Sequence, residues 1–334
     1  MSGSDASVTI SVYTNCSLGG MATVLRNRAL AEPETRHLLY FSKDSGGRPS
    51  FANIPHVDVR VIEKGRLINS VLYGAGLYDV NEISVTSMPK MAEAIAATDL
   101  RDALVYEFHT SDLPTISREV GELALTFPER VRVPSNFAAG LVRSAMQSAG
   151  VDATIEVVPN LVDLSTFQRG RTVAERPLRS ASRPLVWVGR LDKGKNPNDF
   201  ARMLAQLPEE FTGEVVLSLE DGPDRIERYL GIAGDLGVLD RLRFHSNFSQ
   251  AEMANLYRWA ARHGGAFIST SLAESFGYAL VESAACGLPT VGYEVGPLGE
   301  HDICGGELVP VGSITELVAA VRRVCGSGSD PVHV

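Results

Sequence analysis

What this 334-residue sequence lacks narrows its function before any motif is read. Cysteine is scarce. Cys16, Cys286, Cys304 and Cys325 are scattered, with no C-x-x-C pair, so no zinc site is suggested and they read as reduced thiols of a cytosolic protein. Positive charge is in deficit. The formal net charge is −9, which argues against a general nucleic-acid binder. No apolar run reaches the roughly 18 residues that a membrane span needs. The opening Met-Ser-Gly-Ser-Asp-Ala-Ser lacks the charged-then-apolar pattern of a signal segment. There is no repeat at solenoid period. No D-x-D triplet occurs, and the first glycine loop is not G-x-G-x-x-G, which weakens the case for a nicotinamide cofactor.

What is present is ordinary for a globular α/β chain. Hydrophobic residues make up 44% and charged residues 21%, and the length suffices for two domains with real cores. The organising stretch is Ser269–His301, which reads as strand, polar loop, helix, turn, strand. Gly277 opens a helix through Ala285, and Gly287-Leu288-Pro289 stops it before a strand at 290–293. Such a βαβ unit implies a parallel sheet. Glu274 stands just before the helix and Glu282 in its second turn, with Ser275-Phe276-Gly277 between them. Free backbone N–H groups and the helix dipole favour an anion there, and Gly277 allows close approach. Amides for phosphates and carboxylates for hydroxyls suit a sugar nucleotide. Alone, two glutamates eight apart would read as a loop charge and a solvated helix face.

A second cluster lies at Gly189-Arg190-Leu191-Asp192-Lys193-Gly194-Lys195, after an apolar strand and before a helix. Arginine offers a rigid fork to phosphate oxygens and lysine a mobile point charge. Together they can neutralise a departing diphosphate without a metal. Elsewhere, Val8–Tyr13 reads as the first strand and Met21–Leu30 as a helix. Gly19-Gly20 lies in the loop between them, a phosphate-cradling turn or simply a tight one. His109 follows the strand at 103–108, where open α/β sheets bind ligands. Asp112 reads as a cap for the next helix, and Ser135 as another. Strands are also expected at 37–41, 57–62, 83–86, 123–127 and 131–134. Lys64–Tyr78 reads as a core-facing helix with solvated ends rather than one lying on a membrane surface. The arginines at 169, 171, 176, 179 and 183 read as a solvated linker, with a polyanion contact as the alternative.

Glu-x7-Glu with Ser-Phe-Gly inside it and Ala-Cys-Gly-Leu-Pro after it resembles the signature of family 4 glycosyltransferases, and Gly-Arg-x4-Lys resembles their diphosphate clamp. The resemblance implies a GT-B fold, two Rossmann-like α/β domains facing a central cleft. The first would span residues 1–160 on the acceptor side, followed by a linker at 161–184. The second, at 185–325, would bind the nucleotide sugar. By resemblance Glu274 contacts the donor hexose, Glu282 the ribose, and His109 the transferred sugar. Arg190, Lys195, Glu274 and His109 are thus the expected catalytic set. Gly19, Gly20, Gly189, Asn247, Phe248, Ser275, Phe276 and Gly277 complete the donor site, residues 246–249 serving as a shelf for the base. The expected activity is retaining, metal-independent hexosyl transfer from a nucleotide-diphosphate sugar, UDP first and GDP next, to an unidentified acceptor hydroxyl. No cofactor is expected.

Departures from the pattern are Leu161 within Pro-Asn-Leu-Val-Asp, Glu220 in place of a glycine before Gly222-Pro223, and His263-Gly264-Gly265 before the next strand. The family also usually carries one or two further helices after the last one here. A nucleotide-sugar epimerase of the same architecture and a non-catalytic nucleotide-sugar-binding subunit are the rival readings.

Overall fold

The structure, a computed structural model, describes residues 7–17, 19–170, 182–217, 221–246 and 248–326. The chain divides into two compact units, residues 1–161 and 162–334. Leu18, Glu220, Asn247 and the arginines at 171, 176 and 179 lie outside the described residues.

The first unit alternates strands and helices along the chain. Its elements are β1 (Val8–Cys16), α1 (Met21–Ala31), β2 (Arg36–Asp44), β3 (Val57–Val61), α2 (Lys64–Ala75) and β4 (Val80–Thr86). They continue with α3 (Pro89–Ala96), β5 (Leu104–Glu107), α4 (Leu113–Leu123), β6 (Arg130–Val133), α5 (Asn136–Ala149) and β7 (Thr154–Val157). The strands form one sheet in the order β3-β2-β1-β4-β5-β6-β7. Every pairing in it is parallel. Strand alternation sorts the side chains. Ile10, Val12, Ile83, Val85, Tyr106 and Val131 enter a core with buried residues of α2 to α5. The residues between them carry polar groups, as where the Ser84 hydroxyl meets that of Ser11 at 3.1 Å.

Local chemistry sets the helix ends. Asp112 accepts from the Thr115 N–H, and Ser135 from the Ala138 N–H. Gly150 closes α5 in the left-handed region at φ 67°. Helix α2 buries Leu67 and Val71 while Lys64, Arg66 and Tyr73 stay exposed. The strand expected at 123–127 is a correction. Leu123 is the buried last residue of α4, and Leu125 in the following turn is fully exposed. Alternating apolar residues there reflect a helix end and a turn, not a pleat.

The second unit contains β8 (Arg183–Gly189), α6 (Pro197–Ala205), β9 (Phe211–Leu217), α7 (Pro223–Asp235), β10 (Leu242–Ser246) and α8 (Gln250–Arg262). It ends with β11 (Ala266–Ser269), α9 (Tyr278–Ala285), β12 (Thr290–Tyr293), β13 (Glu307–Val309) and α10 (Ile314–Gly326). Its six strands are again parallel, in the order β10-β9-β8-β11-β12-β13. The βαβ unit read from Ser269–His301 is β11-α9-β12. Ser249 and Glu252 form a reciprocal capping box that starts α8. Residues 162–170 pack with this unit. Phe167 is buried in its core, and Arg258 donates to the carbonyls of Thr166 and Gln168 at 3.1 and 3.3 Å. No helix among the described residues is long and apolar enough to cross a membrane.

Candidate functional site

In an open parallel sheet, ligands bind beyond the carboxyl ends of the strands, where the strand order reverses. In the second unit that point lies between β8 and β11, which pair directly. The loops leaving these two strands hold the sequence motifs, so topology brings them together. Lys195 Nζ lies 2.5 Å from Glu274 Oε1, although 79 residues separate the two. The Ser271 hydroxyl donates to the same oxygen at 2.7 Å. The side chains of Lys195 and Glu274 are 30% and 14% exposed, so the pair is accessible from solvent.

The loop after β8 is held from behind. Asp192 Oδ1 accepts the Lys195 N–H at 3.0 Å, and its Oδ2 faces Arg190 Nε at 3.0 Å. The Asp221 carboxylate accepts the Leu191 N–H at 2.8 Å. Thr270 donates to the carbonyls of Lys195 and Asn196, and itself accepts from Trp187 Nε1 at 3.0 Å. Asn196 adopts a left-handed conformation at φ 49° and donates to Asp199, which also accepts from the Tyr293 hydroxyl. Gly189 is tightly packed. A Cβ there would lie 3.0 Å from Lys195 Cγ.

Helix α9 begins at Tyr278 after Gly277, which sits at φ 88° with no side-chain cap. The cap residue thus offers the first-turn N–H groups no side chain, and that of Leu280 donates to the Gly277 carbonyl at 3.0 Å. Phe276 is buried, and its carbonyl accepts from His301 Nε2 at 2.7 Å while the two rings meet edge to face at 4.8 Å. Glu282 is half-buried in the second turn of α9. Burial pushes the Tyr257 hydroxyl well above its ordinary pKa, and the negative charge of Glu282 adds to the rise. Phe248 stacks obliquely on His245 at 4.9 Å, and His245 Nε2 lies 2.5 Å from the buried Glu214.

In the first unit the order reverses between β1 and β4. Gly19 and Gly20 follow β1, and neither has an atom within 4 Å of a built Cβ. Gly20 sits at φ 56° and ψ −124°, a backbone region that glycine alone adopts freely. His109 lies just beyond β5, one strand away from the reversal. Its Nε2 is 2.8 Å from Glu107 Oε2. Arg28, on the helix that Gly20 opens, donates to the same carboxylate at 2.9 Å.

Thus Gly189, Arg190, Lys195 and Glu274 form one cluster, with Ser275, Phe276, Gly277 and Glu282 on the segment that follows Glu274. Gly19, Gly20 and His109 belong to the other unit, and Phe248 marks the β10 end of the second sheet. Asp192, Ser271, Thr270, Asp221 and Glu107 were not singled out from the sequence. Glu107 did carry a signal, being a lone acid inside the buried run Leu104–Phe108. Among the described residues no three His, Cys, Asp or Glu side chains gather as metal ligands.

Residues 171–330, just under half of the chain, match the family model of Glycosyl transferases group 1. A curated relative, D-inositol 3-phosphate glycosyltransferase of Mycolicibacterium vanbaalenii, is 31% identical over 189 residues. That match covers 50% of this chain and 41% of the relative, so the chain spans less than half the length of the curated relatives it matches. Among solved structures, HepE of Anabaena in complex with UDP-glucose superposes with a TM-score of 0.76 at 20% identity, covering 95% of this chain and 89% of that one. A glycosyltransferase from Rickettsia africae gives 0.74 at 14% identity, covering 96% and 89%. At such identities the likeness is one of fold, and that fold is α/β with two parallel-sheet Rossmann-like units of the GT-B kind.

Proposed function

With residues 171–330 matching Glycosyl transferases group 1, we propose that this chain is a retaining, metal-independent glycosyltransferase that moves a hexosyl group from a UDP-sugar to an acceptor hydroxyl. The observation that carries the reading is the meeting of Lys195 and Glu274. It joins a phosphate-type cation to a hydroxyl-type carboxylate at the reversal point of a parallel sheet. The UDP-glucose held by the Anabaena neighbour supports the choice of carrier.

In this mechanism Arg190, Lys195 and the amides at Phe276 and Gly277 bind the diphosphate. Glu282 accepts from the ribose hydroxyls and Glu274 from those of the hexose. As the bond from the anomeric carbon to the phosphate oxygen breaks, its electron pair goes to that oxygen. The fixed positive groups stabilise the charge that develops there, which is electrostatic catalysis. The acceptor oxygen bonds the anomeric carbon on the face the phosphate leaves. Its proton passes to the departing phosphate oxygen, so the anomeric configuration is kept. His109 orients the transferred sugar, and Gly19 and Gly20 admit the substrate close to the backbone. Phe248 offers a shelf for the base.

Lys195 is held against Glu274 in the structure, so donor binding involves an exchange. Phosphate oxygens draw the ammonium group, and sugar hydroxyls take its place on the carboxylate. Removing the hydroxyl acceptor at 274 should therefore hurt the reaction more than it hurts nucleotide binding. The test is incubation with UDP-glucose and a panel of sugar and inositol acceptors in EDTA, with products examined by NMR. An α-linked product from the α-linked donor is expected. A β-linked product, or activity abolished by EDTA and restored by a divalent ion, would overturn the mechanism. An epimerised donor formed without acceptor would favour the isomerase reading.

A further inference from the structure

The first unit holds a charge cluster that this mechanism leaves unexplained. Glu107, the last residue of β5, is wholly buried. Its Oε1 accepts from Arg28 at 2.9 Å and from Arg132 at 3.0 Å. Its Oε2 accepts from Arg28 at 3.3 Å and lies 2.8 Å from His109 Nε2. Burial opposes ionisation of this carboxyl. The Arg28 charge and the hydrogen bond to His109 outweigh it and hold the group below the usual carboxylate range. Arg132 is fixed in turn, with both terminal nitrogens 2.7 Å from the two oxygens of Glu82.

An ionised carboxylate only accepts hydrogen bonds, so the imidazole nitrogen facing it must carry the proton. The other ring nitrogen is then the informative one. The His109 side chain is only 8% exposed, and its Nδ1 is buried with no hydrogen-bond partner among the described residues. Buried polar atoms left unpaired are rare and costly, and a ligand that supplies the missing partner recovers that cost.

We infer that Glu107 is a positioning residue that locks His109 in the Nε2–H form, so that Nδ1 stands as a buried acceptor for a sugar hydroxyl. The hydroxyl rests on the proposed role of His109, whereas the lock rests on Glu107, Arg28 and Arg132 alone. A carboxylate is required because both of its oxygens must accept. Oε1 takes both arginines, and Oε2 takes the histidine at 2.8 Å beside the longer Arg28 contact at 3.3 Å. A glutamine would give its single oxygen to the arginines and turn its NH2 toward His109. The ring would then have to accept at Nε2 and carry its proton on Nδ1, facing a sugar hydroxyl with a donor in place of an acceptor.

The test uses the full chain labelled with 15N-histidine and long-range proton–nitrogen correlation spectra. His109→Phe identifies the His109 signals among the 7 histidines. The native spectrum should show His109 as the Nε2–H form, and Glu107→Gln should convert it to Nδ1–H. In turnover with UDP-glucose, Glu107→Gln should cost about tenfold, the value of one hydrogen bond of some 1.4 kcal/mol. It should cost nothing further in the His109→Phe background. A native Nδ1–H signal for His109 would overturn the inference whatever Glu107→Gln does. An unchanged form in Glu107→Gln, with losses that add to those of His109→Phe, would reduce Glu107 to a structural ion pair. Full turnover in His109→Phe, with the Nε2–H form observed in the native chain, would overturn the sugar contact and leave the lock standing.

Discussion

Glu107 and Glu274 are both glutamates beside a basic group at the carboxyl end of a parallel strand, yet they are set in opposite surroundings. Glu107 has no exposure and is held by Arg28, Arg132 and His109 together. Glu274 is partly open, and its basic partner Lys195 is 30% exposed. Many partners in a dry site make a charge cluster rigid, and losing one leaves the others buried and unpaired. One partner at a wet edge makes a pair that can trade its contacts for those of a ligand. In the proposed reading the same residue types therefore serve as a structural brace with one positioning task in the first unit and as an exchangeable recognition pair in the second.

The sharpest way to break this contrast is to truncate each glutamate cluster in turn. Glu107→Ala should lose roughly 3–5 kcal/mol of stability, because Arg28, Arg132 and His109 would each lose a partner in a largely desolvated pocket. Denaturant titration would show it, and a loss below about 1 kcal/mol would mean that the cluster is not a brace. Lys195→Ala should do the reverse. Its melting point should barely move, since a half-open pair is worth at most about 1 kcal/mol. Turnover should fall roughly 100- to 1,000-fold if Lys195 neutralises the leaving diphosphate.

A pH series sharpens the same point for the first unit. Burial pushes His37 down to about 4 from the usual 6.5. Between those values the unfolded chain holds a proton on His37 that the folded chain does not. Stability contributed by the neutral ring is thus full above pH 6.5 and is lost as pH falls toward 4. The change should be about 2 kcal/mol once solvent screening is allowed for, and it should be missing in His37→Phe. The smallest expected effect is that of Ser271→Ala. It removes one hydroxyl from Glu274 and should cost about 1 kcal/mol in kcat/KM, with no loss of nucleotide affinity.

Much of the fold was legible because its punctuation is strong. Ser135 and Asp112 announce helix starts, and Gly287-Leu288-Pro289 separates α9 from β12. The 123–127 stretch was misread because a helix end and an exposed turn happened to alternate in polarity. At the site, the motifs were legible but their meeting was not. That β8 lies beside β11 is a property of the strand order, and no spacing within Gly189–Lys195 or Ser269–His301 states that Lys195 reaches Glu274. The supports were hidden for the same reason. Ser271, Thr270 and Asp192 are common loop residues until their partners are seen. Glu107 was visible as an acid in an apolar strand, but its two arginines come from α1 and β6.

The proposed donor site is tested most directly by calorimetric titration of UDP-glucose, in EDTA, into the native chain and into Lys195→Ala. Saturable binding to the native chain is expected, weakened at least tenfold by the substitution. Equal affinity in both would contradict the assignment of Lys195 to the diphosphate, and with it the reading of the β8–β11 junction as the place where the nucleotide sugar is held.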